Sequence, residues 1–541
     1  MATTTSATPH PEQAHPVDMG RLDGASTGRV IAVLAAIVLL TETSAFQTVM
    51  VGAALQKMTT TFSSVGSDIN WAIIITGIVG AAATPLLGKL SDIWGKKRIY
   101  VVCGLAFVTG SVIAALTSSW TLFLVGRGLQ AFSAATLVLS YGLIRDLLPR
   151  KYVTLGLGIV AGGVGASGLL GPIIAGALVD HYQWRAMFWF LAIYGAVVLV
   201  LFALVVPESK LRTRERFRPA GVIVLSMSVS AILLYLSKGQ DWGWSRPSAL
   251  AWVVGGVAGL VLFVLIESRS SRPVIDLKVL ANPQVSLTMV MALFASGMLM
   301  VVATALGYMS QTPSASQLKE MVAQGAVDKA REMTGMNLPL SMVNVTLDPE
   351  YRYGSGFGML EFATHLGIWA GVVSMIFGPL AGILARRIGV RIPVIFSCVV
   401  MISVGIGFAL ATPHYSWQLF AVLSAVFGIG FGLFFAGVSI LMVDALPEEQ
   451  QGIGSGMLGV AIGIGTAFGS AIMAAFQSAN PVNASVSVMG QGATQPIPQI
   501  FGDDGYVLTF WTMSGLALIA LIVAIVMRHG RKPSTAGASM H

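Results

Sequence analysis

Cysteine is nearly absent: the 541-residue chain has two, Cys103 and Cys398, each inside an apolar run. Two isolated thiols exclude a disulfide framework and a structural zinc site, and they read as small packing residues. Charge is scarce as well, at 10% of residues, against roughly 25% in a soluble domain. So few charges cannot cover a water-soluble fold. No enzyme signature is present: no zinc-ligand spacing, no phosphate loop in a soluble segment and no nucleophile elbow. Two stretches, 163–168 and 454–459, spell GxGxxG. Both lie in apolar runs with no strand before them, which excludes a dinucleotide site. The first 28 residues lack the charged-then-apolar order of a signal peptide. Polar and rich in Thr, Pro and His, they read as part of a disordered cytoplasmic tail, 1–29.

What is abundant is apolar. Hydrophobic residues make up 55%, the mean hydropathy is +0.79, and there are 61 glycines. Apolar runs of 18 or more residues read as membrane-spanning helices, and glycine lets such helices approach closely. Fourteen spans are predicted, near 30–56, 70–90, 99–118, 121–147, 153–178, 186–206, 219–239, 247–267, 284–310, 359–385, 391–411, 416–442, 452–476 and 506–527. With both termini inside, 23 of the 32 Lys and Arg fall in cytoplasmic segments and 8 outside, and only Arg127 lies within a span. The acidic residues split 12 to 11, with Glu42 in the membrane. A Lys/Arg bias without an acidic bias is what the positive-inside rule expects. It assigns the net charge of +8 to cytoplasmic loops rather than to nucleic-acid binding.

The halves repeat. Gly88 and Gly95 flank a basic turn in GKLSDIWGKKR, and Gly382 and Gly389 keep that spacing in GILARRIGVR. DLLP at 146–149 matches DALP at 444–447; in that frame Gly156, Gly158, Gly165 and Gly171 fall on Gly454, Gly456, Gly463 and Gly469. The expected architecture is an all-α polytopic membrane protein. A six-helix bundle (30–206) is followed by a linker with two extra helices (207–283). A second bundle (284–528) carries an external loop (311–358) and precedes a short tail (529–541). Parallel repeats of this size occur in transporters, with the cargo cavity between them. Within the external loop, 316–333 is polar and helix-compatible; a second external loop, 477–505, is rich in Asn, Gln, Gly and Pro.

GKLSDIWGKKR, with Gly88, Asp92, Gly95, Lys96, Lys97 and Arg98, resembles the loop signature of the major facilitator superfamily, placed after helix 2 as in that family. Arg127-Gly-Leu-Gln130 resembles its RxxQG element, with Ala131 in place of the glycine. GPIIAG, containing Gly171, Pro172 and Gly176, resembles the signature of its antiporter branch; Trp184-Arg185 is also typical. The fourteen-span layout is similar to the drug:proton antiporter subfamily. The resemblance implies the major facilitator fold in a plasma (inner) membrane. It implies that Asp92 caps a facing helix N-terminus near Gly452, latching one access state, and that the Gly-Pro stretch of helix 5 bends and restricts leakage. A second, symmetric latch is not expected, since Arg386 stands where Asp92 would recur.

Glu42 lies about 18 Å into helix 1, near the bilayer centre, from a rise of about 1.5 Å per residue. An intramembrane carboxylate is a functional candidate by default, here a proton carrier; a structural hydrogen bond is the alternative. The family's helix-1 acid falls instead on Gln47, which cannot titrate. Arg127, with Glu42 or Gln47 as natural partner and Gln130 one turn away, suggests a polar network lining the cargo cavity. Glu361 and His365, four apart on helix 10, share a face and form a second proton or cation site, or else sit among headgroups. The expected activity is proton-coupled export of a small amphipathic compound, with a proton gradient and no cofactor or metal. The alternatives are export of a lipid, with an envelope partner at the external loop, and a non-transporting sensor. Membrane lipids are expected partners; nucleic acid is not.

Overall fold

The computed structural model describes residues 21–58, 61–62, 65, 69, 71–210, 212, 220–270, 277–334, 339–446, 451–488 and 491–533. Most of the tail 1–29, and Arg214, Arg216 and Arg218 in the linker, lie outside the described residues.

The first repeat forms α1 (Thr27–Met58), α2 (Trp71–Trp94), α3 (Lys96–Leu116), α4 (Trp120–Leu147), α5 (Arg150–His181) and α6 (Trp184–Val205). The linker forms α7 (Ala220–Trp242) and α8 (Pro247–Ser268). The second repeat forms α9 (Pro283–Gln311), α10 (Ala315–Thr334), α11 (Met359–Ile388), α12 (Arg391–His414), α13 (Trp417–Asp444), α14 (Gln451–Ala479) and α15 (Asp503–Val526). Twelve described helices are long and apolar enough to cross a membrane. Within α5 and α7 the stretches Ala166–His181 and Ile223–Leu236 are apolar but shorter.

The repeat seen in sequence recurs in backbone geometry. Gly95 and Gly389 both have positive φ, +110° and +85°, values that favour glycine. Pro85 lies inside α2 and Pro379 inside α11, three residues before Gly88 and Gly382. Membrane helices tolerate proline because neighbours satisfy the freed carbonyls. In each half the chain leaving the last helix crosses the positive-φ turn. Glu208 lies against Gly95, and the carbonyls of Gly530 and Arg531 lie against Gly389.

Small residues set the helix spacing. On α14, a Cβ at Gly469 would sit 2.6 Å from the Gly297 carbonyl of α9, so the two backbones touch. On α5, a Cβ at Gly171 would sit 3.1 Å from Val49 of α1. Equivalent glycines in the two halves thus serve equivalent helix pairs.

The α7–α8 pair now has a place. Leu225, Val229 and Leu233 of α7 pack with Ile78 and Ala81 of α2 and with Ile464 and Ala467 of α14. Ser226 Oγ donates to the Ala82 carbonyl at 2.6 Å. The hairpin therefore lies along the seam between the halves on the α2–α14 side. The far side of α8 exposes Val254, Val257 and Val261 at 51–63%, as a lipid-facing surface does.

The two external loops of the second half carry a small sheet that the sequence reading did not expect. Val343–Asp348 (β1), Pro481–Val488 (β2) and Gln491–Phe501 (β3) form an antiparallel sheet in the order β1-β2-β3. Its register pairs Val345 with Val486 and Ser485 with Thr494. Burial alternates along β1, and α10 packs Val322, Ala323 and Val327 onto Val343 and Val345. Pro496 and Pro498 lie on edge strand β3, where proline blocks further pairing. The cap is anchored to its own half. Tyr353 donates to the Phe501 carbonyl at 2.7 Å and Tyr351 to that of Pro313 at 2.7 Å. Lys319 pairs with Glu350 at 2.6 Å, and hydrogen bonding to that ammonium holds the Glu350 carboxyl below its usual range.

Candidate functional site

Glu42 is the sixteenth of the 32 residues of α1, so the chain buries a carboxylate midway along a membrane-length helix. It is 6% exposed. Its Oε2 accepts a hydrogen bond from the Ser167 hydroxyl of α5, and Gly163, one turn earlier on α5, leaves room for Oε1. Oε1 has no hydrogen-bond partner among the described residues. Around it, Thr41 and Tyr100 of α3 pair through their hydroxyls at 2.5 Å, and Tyr194 of α6 donates to the Leu39 carbonyl at 2.7 Å. Glu42 thus stands at the junction of α1, α5 and α6.

Arg127 occupies a separate network, taking Gln47 rather than Glu42 of its two expected partners. It is fully buried on α4. Nε donates to the Ala72 carbonyl at 2.8 Å; Nη1 donates to Gln47 Oε1 at 2.9 Å and Gln130 Oε1 at 2.5 Å. Gln130 in turn donates to Ser111 at 2.7 Å. A charged guanidinium is held by neutral acceptors from α1, α2 and α4, over the Phe188 ring of α6 at 6.0 Å. Gln47 accepts where a carboxylate would otherwise sit. The helix tightens to 3-10 geometry at Ala131–Ser133, directly after this element.

A planar fork serves three acceptors in a way an ammonium cannot. Arg127→Lys is therefore expected to leave at least one buried carbonyl oxygen without a donor. The expected loss of stability is about 1–3 kcal/mol, read as a shift in the unfolding transition of purified protein. An unchanged transition would mean that the network contributes no net stability.

The GKLSDIWGKKR turn is built around Lys96. Its ammonium sits 2.8 Å from Asp146 at the end of α4 and 3.5 Å from Asp92. Asp146 also accepts from Ser209 at 2.8 Å. Lys97 donates its amide to Glu208 at 3.0 Å and its ammonium to the Ala203 carbonyl at 2.7 Å. Arg98 is exposed and Gly88 faces open space. The turn thus ties α2, α3 and α4 to the segment after α6. The expected cap of Asp92 on the backbone amides near Gly452 lies outside the described residues, which break off at 447–450 just before α14. Asp146 was visible in the sequence only as a repeat marker; its ion pair spans 50 residues and has no local signal.

Glu361 and His365 do share a face of α11, but the structure gives them local duties. Glu361 Oε2 accepts from the Gly358 amide at 2.9 Å, the half of a capping box that a glycine N-cap allows. His365 Nδ1 lies 2.9 Å from the Glu361 carbonyl, and its ring stands against Phe357 and Trp417. Neither reaches Glu42. The helix takes a π-turn at Ala363–Gly367, an irregularity often found at functional sites. There Gly367 faces Pro172: a Cβ at Gly367 would lie 3.7 Å from the proline ring.

The halves also meet near the other membrane face. Tyr141 of α4 lies beside Ser439 of α13, and Gly456 and Gly459 of α14 lie beside Val138.

A family model described as Major Facilitator Superfamily matches residues 36–372 and 330–540. The chain is 26% identical over 437 residues to multidrug resistance protein Stp of Mycobacterium tuberculosis, covering 78% of this chain and 71% of that one. It is 24% identical to the tetracenomycin C resistance and export protein of Streptomyces glaucescens, over 75% of this chain and 68% of that one. Among solved structures, the human organic anion transporter MFSD10 aligns with a TM-score of 0.58 at 15% identity, covering 92% of this chain and all of that one.

Proposed function

This chain belongs to the major facilitator superfamily, and on that premise we propose that it is a proton-coupled antiporter exporting small amphipathic compounds by alternating access. That it is a multi-pass membrane transporter follows from its family and relatives; the coupling ion, the cargo, the fourteen-span count and the cytoplasmic placement of both termini in an inner membrane are the proposal. The observation that carries it is Glu42: a buried carboxylate midway along a membrane-length helix, bonded by one serine and left with an open oxygen among the described residues. A charge in that position is costly, and a group that alternates between neutral and charged forms is suited to carry a proton. Arg127, held by neutral groups, supplies fixed positive potential in the same half. The relatives named for multidrug resistance and for tetracenomycin C resistance and export support amphipathic cargo.

Transport in proteoliposomes tests this. An imposed pH gradient should accelerate movement of an amphipathic dye against the direction of proton flow, and a protonophore should remove the acceleration. Dye flux indifferent to the gradient would reject the reading.

The folded cap favours one second reading, export of a lipid or lipid-like metabolite handed to an envelope partner. A sheet and an amphipathic helix fixed to the second half offer a firm surface at the exit. Deleting 316–334 should then impair lipid export and spare dye efflux.

A further inference from the structure

The N-terminus of α11 is capped from the other half of the protein. The first amides of any helix lack intrahelical acceptors. The N-cap of α11 is Gly358, which has no side chain to offer. Among the described residues, the Glu361 carboxylate serves the Gly358 amide. The next two amides are served from the other half of the protein: Asp180, at the end of α5, accepts from Leu360 N at 2.9 Å and from Met359 N at 3.4 Å. A carboxylate at a helix N-terminus is favoured by the helix dipole as well as by the bonds.

Two more contacts line up with it. One turn before Asp180, a Cβ at Gly176 would lie 2.7 Å from both the Cα and the amide nitrogen of Leu360, so the two backbones touch. One turn earlier still, Pro172 packs on Gly367 in the π-turn. Residues 172, 176 and 180 are four apart and share one face of α5. That face forms a continuous seam between the halves on the membrane face that bears the sheet.

We infer that Asp180 is a latch for the sheet-bearing face: its carboxylate joins the two halves through the N-terminal amides of α11, with Gly176 as the point of closest approach. Opening toward that face breaks both hydrogen bonds and strips α11 of its cap. Inverted repeats nested within each six-helix half relate the second helix to the fifth on opposite membrane faces. A carboxylate at the end of α5 is thus the counterpart, across the membrane, of Asp92 at the end of α2. The same-face repeat, where Arg386 stands, lacks one. This inference rests on the alternating access proposed above and not on its proton coupling.

Distances between spin labels at Tyr182→Cys and Leu340→Cys, both exposed (72% and 45%), test it. The full chain would carry Cys103→Ala and Cys398→Ala and be held in nanodiscs. Tyr182 reports the end of α5 and Leu340 the cap of the second half. The parent should show mainly a short distance. Asp180→Ala should move most of the population to a longer one, and Asp180→Asn, which keeps an oxygen acceptor without the charge, should fall between. Gly176→Val should lengthen the distance independently, by wedging the backbones apart. A parent that is mainly long, or an Asp180→Ala or Asp180→Asn distribution superimposable on the parent even with lowered thermal stability, overturns the latch. Because no gradient or cargo is present, this result is separable from failure of the antiport reading.

Discussion

Glu42→Gln is expected to abolish gradient-driven transport while leaving cargo binding and downhill exchange in place. Glutamine keeps the side-chain shape in the pocket beside Gly163 and can still accept from Ser167, so the packing of α1 on α5 is preserved. What it cannot do is gain and lose a proton. In proteoliposomes with an imposed pH gradient, accumulation should drop to the level seen with no gradient, whereas exchange of labelled for unlabelled cargo should continue. Ser167→Ala is the companion: it removes the one hydrogen bond to the carboxylate among the described residues and should alter the pH dependence of transport without eliminating it. A Glu42→Gln protein that concentrates cargo as wild type does would remove Glu42 from the mechanism.

Asp146→Ala is expected to be the most damaging substitution outside the membrane midplane. The Asp146 side chain is fully buried, and Lys96 beside it is 8% exposed at 2.8 Å. Removing Asp146 leaves the buried Lys96 with the longer contact to the half-exposed Asp92, at a cost approaching the roughly 3–5 kcal/mol of a broken buried pair. Ser209 and Arg145, which also engage Asp146, would lose an acceptor. The α2–α3 turn should loosen, and purified protein should unfold at lower temperature or denaturant. Replacing both partners by apolar residues, Lys96→Met with Asp146→Leu, should recover much of the loss, because neither charge is then stranded. If Asp146→Ala unfolds with the parent, water reaches Lys96 and the pair is not structural.

Much of the scaffold was legible in the sequence for a plain reason. Membrane spans announce themselves by apolar length, and the positive-φ turns at Gly95 and Gly389 were marked by glycine in both copies. The sheet was missed although its signal was present. Val482, Ala484 and Val486 alternate with Asn483, Ser485 and Ser487, a period of two that reads as a half-buried strand. Glycine- and proline-rich neighbours had drawn the reading to irregular loop. The site divides in the same way. Arg127, Gln130 and Gln47 were found because a basic residue inside a span is rare and its partners lie at helical spacing or on a family position. Ser167 and Asp180 were not, since each matters only through a partner more than 100 residues away. Glu361 and His365 share a face as periodicity requires, yet what each touches is set by Gly358, Phe357 and Trp417, which spacing alone does not specify.

The reading as an antiporter stands or falls on whether protons move when cargo does. A pH indicator trapped in proteoliposomes, with membrane voltage clamped by potassium and valinomycin and no gradient imposed, reports this directly. Cargo added outside should enter as protons leave, so the lumen should turn alkaline, and Glu42→Gln should show no such change. Cargo entering wild-type vesicles while the lumen pH stays flat would contradict the account.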